Sequence, residues 1–356
     1  MRDPLRIAVI GAGWWSTTHH LPTLRAHPLA TIEAIIEPRV PLATDVARDY
    51  DVPLVFTDVE ELIASASIDA ALVASPNALH HGATKALLEA GIPVLVEKPL
   101  ALTSTDAFDL VATAQKHDLL LAVGYTAQYA PAASKARVWV REEIGELVQV
   151  IIEFSSRAGE LFARTCADNA TSSYSSVNGS GQAITQLSHA ASAVFWTTGE
   201  NATSVGGMTS NRGLSVDVED AVIFRLTNGA LCSAAATGAL HANMPLRQRI
   251  RYIGTHGTVD HDLIAGSAEL QRAGGEILQL RSPHIGHAYP ATEPAREFIE
   301  LLTGKYLGEN HGDPIAAMHA VSFTEALHAS AAAGAFISVA PFSVTPPPAP
   351  EPGDFA

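Results

Sequence analysis

Leu5-Arg6-Ile7-Ala8-Val9-Ile10-Gly11-Ala12-Gly13-Trp14-Trp15-Ser16 is the stretch whose reading decides the fold. Leu5–Ile10 is an almost continuous apolar run of strand length, and a helical stretch, Ser16–Ala26, follows the glycines. A strand that enters a Gly-x-Gly turn and leaves as a helix aims backbone amides and a positive helix end at one point, where a phosphate is favoured. The first glycine permits the tight turn, the second lets the backbone approach a pyrophosphate, and the third position needs a small residue for close packing. Here that third position is Ser16. Glu37 closes the second predicted strand 24 residues after Gly13, near the separation of about 20 expected for an acid on the adenosine ribose. In this context a dinucleotide site outweighs a glycine turn with no ligand. A carboxylate accepts the ribose hydroxyls and repels a 2′-phosphate, which favours NAD and makes NADP the lesser expectation. Arg39 works the other way, by stacking on adenine or meeting a 2′-phosphate.

Working outward, strand-type runs recur at Thr31–Glu37, Pro53–Phe56, Asp69–Ser75, Pro93–Glu97 and Leu119–Tyr125. Helical stretches fall between them at Pro41–Tyr50, Asp58–Ala66, Ala78–Ala90 and Ser104–His117. Runs apolar at successive positions belong to strands buried on both faces, as in parallel sheets. The alternation predicts a doubly wound, Rossmann-type α/β domain over residues 1–125.

The pattern then changes. Pro131–Glu143 reads as one helix, followed by β-type segments at Leu147–Ser155, Ala202–Thr209, Ala221–Thr227, Ala230–Thr237, Arg247–Ile253 and Thr258–Ile264. Asn228-Gly229 between two such runs is a hairpin signal, because a type I′ turn needs positive φ at both central residues. These segments lack crossover helices, so residues 126–340 are expected to form a second α/β domain with a large, open, mostly antiparallel sheet for substrate binding and self-association. Helical periodicity returns at Pro294–Leu302 and Pro314–Ala333, and the second of these is expected to pack back toward the first domain. Residues 341–356 read as a Pro-rich, disordered tail.

Composition narrows the function. Lys+Arg is 22 and Asp+Glu is 37, so the net charge is 22 − 37 = −15. That argues against a general nucleic-acid binder and against docking on an anionic membrane. The two cysteines, Cys166 and Cys232, cannot make a disulfide framework, which fits a reducing cytoplasm. The apolar stretch Ala329–Phe342 is too short and too interrupted to span a bilayer. Arg2 and Arg6 before an apolar run only superficially suggest a signal peptide, since that run ends in the glycine turn. His19-His20 and His80-His81 match metal ligands in residue type alone, so no metal is expected. Arg247, Arg249 and Arg251 alternate on one strand face and read as a solvated face or subunit contact rather than an anion site.

One strand ends in Glu97-Lys98-Pro99. A lysine beyond the carboxyl end of a doubly wound sheet can bond a substrate hydroxyl and pass a proton, although composition alone favours a surface lysine. Together with Ser75-Pro76-Asn77, His80, Gly91 and Val94–Leu100, this turn resembles the Gfo/Idh/MocA oxidoreductases. The resemblance extends to Gly145-Glu146-Leu147, to Tyr252–Gly257 and to the closing helix near Glu325–Gly334. Gly11, Ala12, Gly13, Trp14 and Trp15 of the loop, with Glu37, are taken as cofactor contacts. The resemblance implies that Ser75, Pro76, Asn77, His80 and Glu97 contact the nicotinamide half, and that Lys98 meets both cofactor and substrate, with a cis peptide before Pro99. Gln128 stands where the family usually has an arginine, so that cofactor contact is weakened or replaced.

Gln182, Thr185, Gln186 and His189 fall at i, i+3, i+4 and i+7 and share one helix face without any charge. An amide, hydroxyl and imidazole stripe suits a neutral polyhydroxylated ligand, and an amphipathic helix at a domain junction explains it equally well. The family pattern has Asp and His four residues apart here. His189 matches the histidine, while Thr185 replaces the aspartate, which leaves open whether His189 is a base or an orienting group. Tyr174, Asn178 and Arg164 lie in a polar segment before the stripe, and Tyr174 is taken as a further substrate contact. The expected function is hydride transfer between NAD and a carbinol or keto carbon of a sugar, glycoside or cyclitol, with Lys98 and His189 as catalytic residues. The alternatives are a non-catalytic NAD-binding regulator, or a redox-cycling glycosidase or epimerase. A dimer or tetramer is expected.

Overall fold

The computed structural model describes residues 3–165, 172, 174–281 and 290–341. Arg2, Cys166 and the tail from residue 342 lie outside them. The first domain contains β1 (Leu5–Ile10), α1 (Leu21–Ala26), β2 (Ala30–Ile36), α2 (Val40–Tyr50), β3 (Leu54–Phe56), α3 (Val59–Ser65), β4 (Ala70–Val73), α4 (His80–Glu89), β5 (Val94–Val96), α5 (Ser104–Lys116) and β6 (Leu121–Val123). All pairings are parallel, in the order β3-β2-β1-β4-β5-β6. Every residue of β4, β5 and β6 is buried, which is why these strands read as unbroken apolar runs. The strand order reverses between β1 and β4, and a crevice opens there beyond the strand ends.

The second domain begins with α6 (Pro131–Glu142), β7 (Leu147–Ser155), α7 (Ala158–Thr165) and α8 (Ser188–Thr198). Seven strands follow: β8 (Ala202–Ser210), β9 (Glu219–Leu226), β10 (Leu231–Thr237), β11 (Arg247–Gly254), β12 (Gly257–Asp262), β13 (Ser267–Arg272) and β14 (Ile277–Arg281). The described chain closes with α9 (Glu293–Leu302), α10 (Pro314–Ala333) and β15 (Ile337–Ser338). The second sheet has nine strands, in the order β14-β13-β12-β11-β7-β10-β9-β8-β15. Only the β7–β10 pairing is parallel, so the expected mostly antiparallel sheet is present, and β13, β14 and β15 extend it beyond the expected strands.

Helices α6, α8 and α10 cover one face of this sheet. Alternation along β9 shows the consequence: Val222, Phe224 and Leu226 are buried, while Ala221, Ile223 and Arg225 face out. The uncovered face exposes Met208, Ile223 and Leu231, with Phe336 beside them. Helix α10 reaches back to α5, where Glu325 accepts the Ser104 amide at 2.9 Å. Helix α9, from the C-terminal part of the chain, contributes Ala295, Phe298 and Ile299 to the apolar cluster that also holds Ile7 and Leu95. The first domain's sheet is therefore completed by residues far beyond position 125.

Two imidazoles inside the second domain make stability depend on pH. His261 on β12 is fully enclosed, and neither ring nitrogen has a hydrogen-bond partner among the described residues. Burial lowers it to about 4, and burial lowers His319 on α10 to about 4 as well. The unfolded chain then binds protons from near pH 6.5 downward while the native chain does not, so stability falls as pH drops from about 6.5 toward 4. For His261 alone the loss between pH 7 and pH 5 is on the order of 2 kcal/mol. Chemical denaturation at the two pH values should show a smaller difference in His261→Leu than in wild type. Equal differences would remove His261 from the account.

Candidate active site

The crevice consists of two joined hollows, with Ser75 lining both. The first, about 420 Å³, is bounded by Gly11, Glu37, Arg39, Asp58, Pro76 and Leu79. The second, about 260 Å³, is bounded by Trp14, Trp15, Asn77, His80, Glu97, Lys98, Tyr174, Thr185, Gln186 and His189.

The loop after β1 is built for close approach. Gly11 has φ +98°, and a Cβ there would stand 2.6 Å from the Ala74 carbonyl oxygen, so only glycine fits. The Ser16 hydroxyl donates to the Gly11 carbonyl at 2.6 Å, so the serine in the third position fastens the turn as well as being small. Nothing lies within 4 Å of where a Gly13 Cβ would be, which leaves that backbone open to a ligand. The helix after it opens with a wide π-turn, Ser16–His20, before α1.

Glu37 is buried at the end of β2 and accepts the Ala12 amide at 3.1 Å. Arg39 grips it from two sides, Nε to Oε1 at 2.7 Å and Nη2 to Oε2 at 2.9 Å. Burial pushes this carboxyl up, but the Arg39 hydrogen bonds and the Ala12 amide outweigh it and hold it below the usual carboxylate range. The Ser75 hydroxyl is buried at the junction of the two hollows and has no partner among the described residues. An open glycine amide, an anchored acid and an orphaned hydroxyl, all at the switch point of the sheet, fit a dinucleotide.

The turn after β5 brings a carboxylate and a lysine to the wall of the second hollow. Glu97 Oε1 lies 2.8 Å from Trp15 Nε1, which donates to it, and 2.9 Å from His20 Nε2. Burial raises the pKa of this carboxyl, while His20 and then Lys98 lower it, and the net shift is downward. A Cβ at Gly124 would stand 2.7 Å from Glu97 Oε1, so any larger residue there would push this carboxylate aside. Lys98 precedes a cis Pro99, as the family resemblance implied, and its Nζ donates to the Thr185 carbonyl at 3.2 Å. Burial lowers the Lys98 pKa against the opposing pull of Glu97. His80 braces this turn, with Nδ1 2.7 Å from the Pro99 carbonyl and Nε2 3.0 Å from the Ser75 carbonyl.

The opposite wall is the π-turn Ala183–Leu187, which runs into α8. Such wide turns recur at functional sites because they redirect a carbonyl or side chain. His189 lines the hollow with Tyr125 edge-on at 5.4 Å. Burial, and then the Lys98 charge, hold its pKa well below the ordinary imidazole value, so it is neutral at neutral pH. The Thr185 hydroxyl is occupied, donating to the Gly181 carbonyl at 2.6 Å, so it is the Thr185 carbonyl that meets Lys98. Gln186 and Tyr174 also line the hollow.

Two expected site residues are placed elsewhere. Gln182 is fully buried against Gly238 and does not line the hollow, because the wide π-turn breaks the simple i, i+3, i+4 stripe. Gln128 donates from Nε2 to the Ser192 carbonyl and hydroxyl, both at 3.0 Å, so it ties the end of the first domain to α8 instead of facing the cofactor hollow. His20 was not singled out, since its pairing with Glu97 spans 77 positions and leaves no local pattern. Arg164 lies on α7 where a polar loop was expected. Arg249 and Arg251 are paired with Asp262 at 2.8 Å and Asp260 at 2.7 Å on the uncovered sheet face. No group of three or more metal-ligating side chains is present among the described residues, and no helix there is long and apolar enough to cross a membrane.

Comparison with known proteins agrees with this geometry. Residues 5–125 match the profile described as oxidoreductase family, NAD-binding Rossmann fold, and residues 134–260 match the GFO/IDH/MocA C-terminal domain. An inositol 2-dehydrogenase of Corynebacterium glutamicum is 35% identical over 152 residues, 42% of this chain and 45% of that protein. A D-xylose 1-dehydrogenase [NADP(+)] of Haloarcula marismortui is 30% identical over 148 residues, 40% of this chain and 41% of that protein. The chain thus aligns with less than half the length of these curated relatives. A levoglucosan dehydrogenase solved with NADH and levoglucosan shares the fold over 95% of this chain and 100% of that one, with a TM-score of 0.78 and 20% identity.

Proposed function

The chain belongs to the Gfo/Idh/MocA oxidoreductase family, and from that premise we propose that it transfers a hydride between NAD and a carbinol or keto carbon of a neutral sugar, glycoside or cyclitol. The observation that carries this reading is Lys98, whose Nζ stands between the end of β5 and the Thr185 carbonyl, inside a hollow that Trp14 and Trp15 also line and that Ser75 joins to the hollow beside Gly11. The bound nicotinamide supplies the hydride acceptor or donor. Gly11, Gly13, Ser75 and Glu37 hold and orient the dinucleotide. Lys98 takes the proton from the reacting hydroxyl oxygen during oxidation and returns it during reduction. Neutral His189 orients the substrate through a ring nitrogen. Thr185, in the place of the family aspartate, leaves no carboxylate there to make it a base. Trp14, Trp15 and Tyr174 narrow the hollow and exclude water from the proton path.

The charge of the lining supports a neutral substrate. Among the described residues that bound this hollow, Glu97 and Lys98 are the only Asp, Glu, Lys or Arg, and they face each other's charge. Among the described residues no arginine stands there to hold a phosphate or carboxylate. In the adenosine hollow Asp58 and Glu60 join Glu37, and Arg39 is spent on Glu37, a combination that disfavours a 2′-phosphate. His189→Asn should mainly raise KM, with a smaller loss in kcat than substitution of Lys98. A kcat loss equal to that of Lys98 would make His189 a proton carrier.

Self-association belongs to the same proposal. Met208, Ile223, Leu231 and Phe336 expose an apolar strip on the uncovered sheet face, and pairing of two such faces would bury it. Light scattering at micromolar concentration should give a dimer or tetramer, and Ile223→Lys with Leu231→Lys should shift it toward monomer. A monomeric wild type contradicts this part. A second reading, an NAD-binding regulator, is favoured by Gln128 turning to Ser192 and by Thr185 in place of the aspartate. Tight NAD binding without redox change on any polyol would select it.

A further inference from the structure

We infer that Asp217 is a positioning residue for Lys98: its carboxylate anchors the first turn of the segment whose Thr185 carbonyl receives the lysine ammonium. The inference rests on the role given to Lys98 above and extends it to a residue on another element. Asp217 lies just before β9, with a side chain 8% exposed. Its Oδ2 accepts the Ala183 amide at 2.6 Å, and its own carbonyl accepts the Gln182 amide at 2.9 Å. First-turn amides have no partner within their helix, and an anion there satisfies both the donor and the dipole. Gly181 permits the approach, because a Cβ at its φ of +143° would stand 2.1 Å from Asp217 Oδ1. The same Oδ1 lies 3.2 Å from His328 Nε2 on α10. One carboxylate thus ties together the π-turn, the entry to β9 and the closing helix. Two residues beyond its contact, Thr185 meets Lys98.

The charged groups around this chain of contacts are few. Asp217 faces Asp220 on β9 and His328 on α10, with Glu219 nearby. Asp220 is pushed well above the usual carboxylate range by burial and by the Asp217 charge, so it is protonated at neutral pH and leaves Asp217 as the anion of the pair. Lys98 faces Glu97, His80 and His189. Loss of the anchor frees the π-turn and withdraws the Thr185 carbonyl from the ammonium. An amine with fewer acceptors for its charged form gives up its proton at lower pH.

The test follows the reactivity of Lys98 in the full-length protein, by trace acylation across pH and mass spectrometry of the peptide containing it. This readout needs no substrate, so failure of the proposed oxidoreductase activity leaves it intact. In Asp217→Ala the reactivity midpoint should move to lower pH by at least ~0.5 unit, with NAD affinity within about twofold of wild type. Asp217→Asn, which keeps an oxygen acceptor for Ala183, should stay nearer the wild type. On any substrate found, kcat of Asp217→Ala should fall about tenfold with less change in KM. Should Asp217→Ala not fold, Gly181→Ala, which displaces the carboxylate without removing it, gives the same shift. A Lys98 midpoint equal to wild type in a folded Asp217→Ala or Gly181→Ala variant overturns the proposal.

Discussion

Lys98→Met lowers turnover by about 10² to 10⁴, the usual worth of general acid–base catalysis, while leaving NAD affinity within a few-fold. Methionine keeps much of the side-chain length and the packing against the Thr185 segment, and removes only the proton carrier. The lysine is suited to the task because burial draws its pKa down from the ordinary 10.5 toward the working range, and Glu97 limits how far it falls. The pH profile carries the sign. Oxidation of a hydroxyl needs the neutral amine, so kcat/KM for oxidation should rise with pH through the Lys98 pKa, and the reverse reaction should fall through it. Near-normal turnover in Lys98→Met removes Lys98 from the mechanism.

The second large effect concerns the cofactor. Glu37→Ser removes the carboxylate proposed to accept the adenosine ribose hydroxyls, and charge-assisted hydrogen bonds of this kind are worth about 1.5–3 kcal/mol. NAD should therefore bind about 10- to 100-fold more weakly. The substitution also releases Arg39, whose guanidinium is now held on both Glu37 oxygens. The freed arginine gives a 2′-phosphate a partner, so NADP should bind as well as NAD or better. Calorimetry with both cofactors on both proteins decides it. Equal affinity of the wild type for NAD and NADP would dissociate Glu37 from cofactor choice.

Local chemistry explains what could be read in advance. The strand-glycine-helix run at Leu5–Ser16 and the acid at Glu37 are short-range signals, and β1 and β2 appear where they pointed. The apolar runs of β4, β5 and β6 are legible because burial on both faces leaves no alternation to confuse them. The edge of the second sheet was hidden for the opposite reason. Ser267–Arg272 in β13 is short and largely polar, and its strand character comes from pairing with β12 and β14 rather than from its own composition. Helix α7 escaped notice because it is eight residues long and its buried residues, Ala158 and Phe162, are a single pair four positions apart, too few to show a period.

The site shows the same divide. Lys98, Glu97 and His189 stood out as residue types near predicted strand and helix ends. Their partners did not, because Glu97 finds His20 across 77 positions and Lys98 finds Thr185 across 87. Gln182 was misplaced because a π-turn shifts the helix phase by a fraction of a turn, which no 3.6-residue pattern can report.

The central claim is that this crevice joins NAD to a neutral polyol. It is tested most directly by mixing the purified protein with NAD and a panel of sugars, glycosides and cyclitols and following the absorbance of reduced nicotinamide, with Lys98→Met as the control. The account predicts reduction with at least one neutral polyol, lost in Lys98→Met, and none with the corresponding phosphorylated or acidic sugars. Tight NAD binding with no redox change on any member of the panel, in either direction, would contradict it.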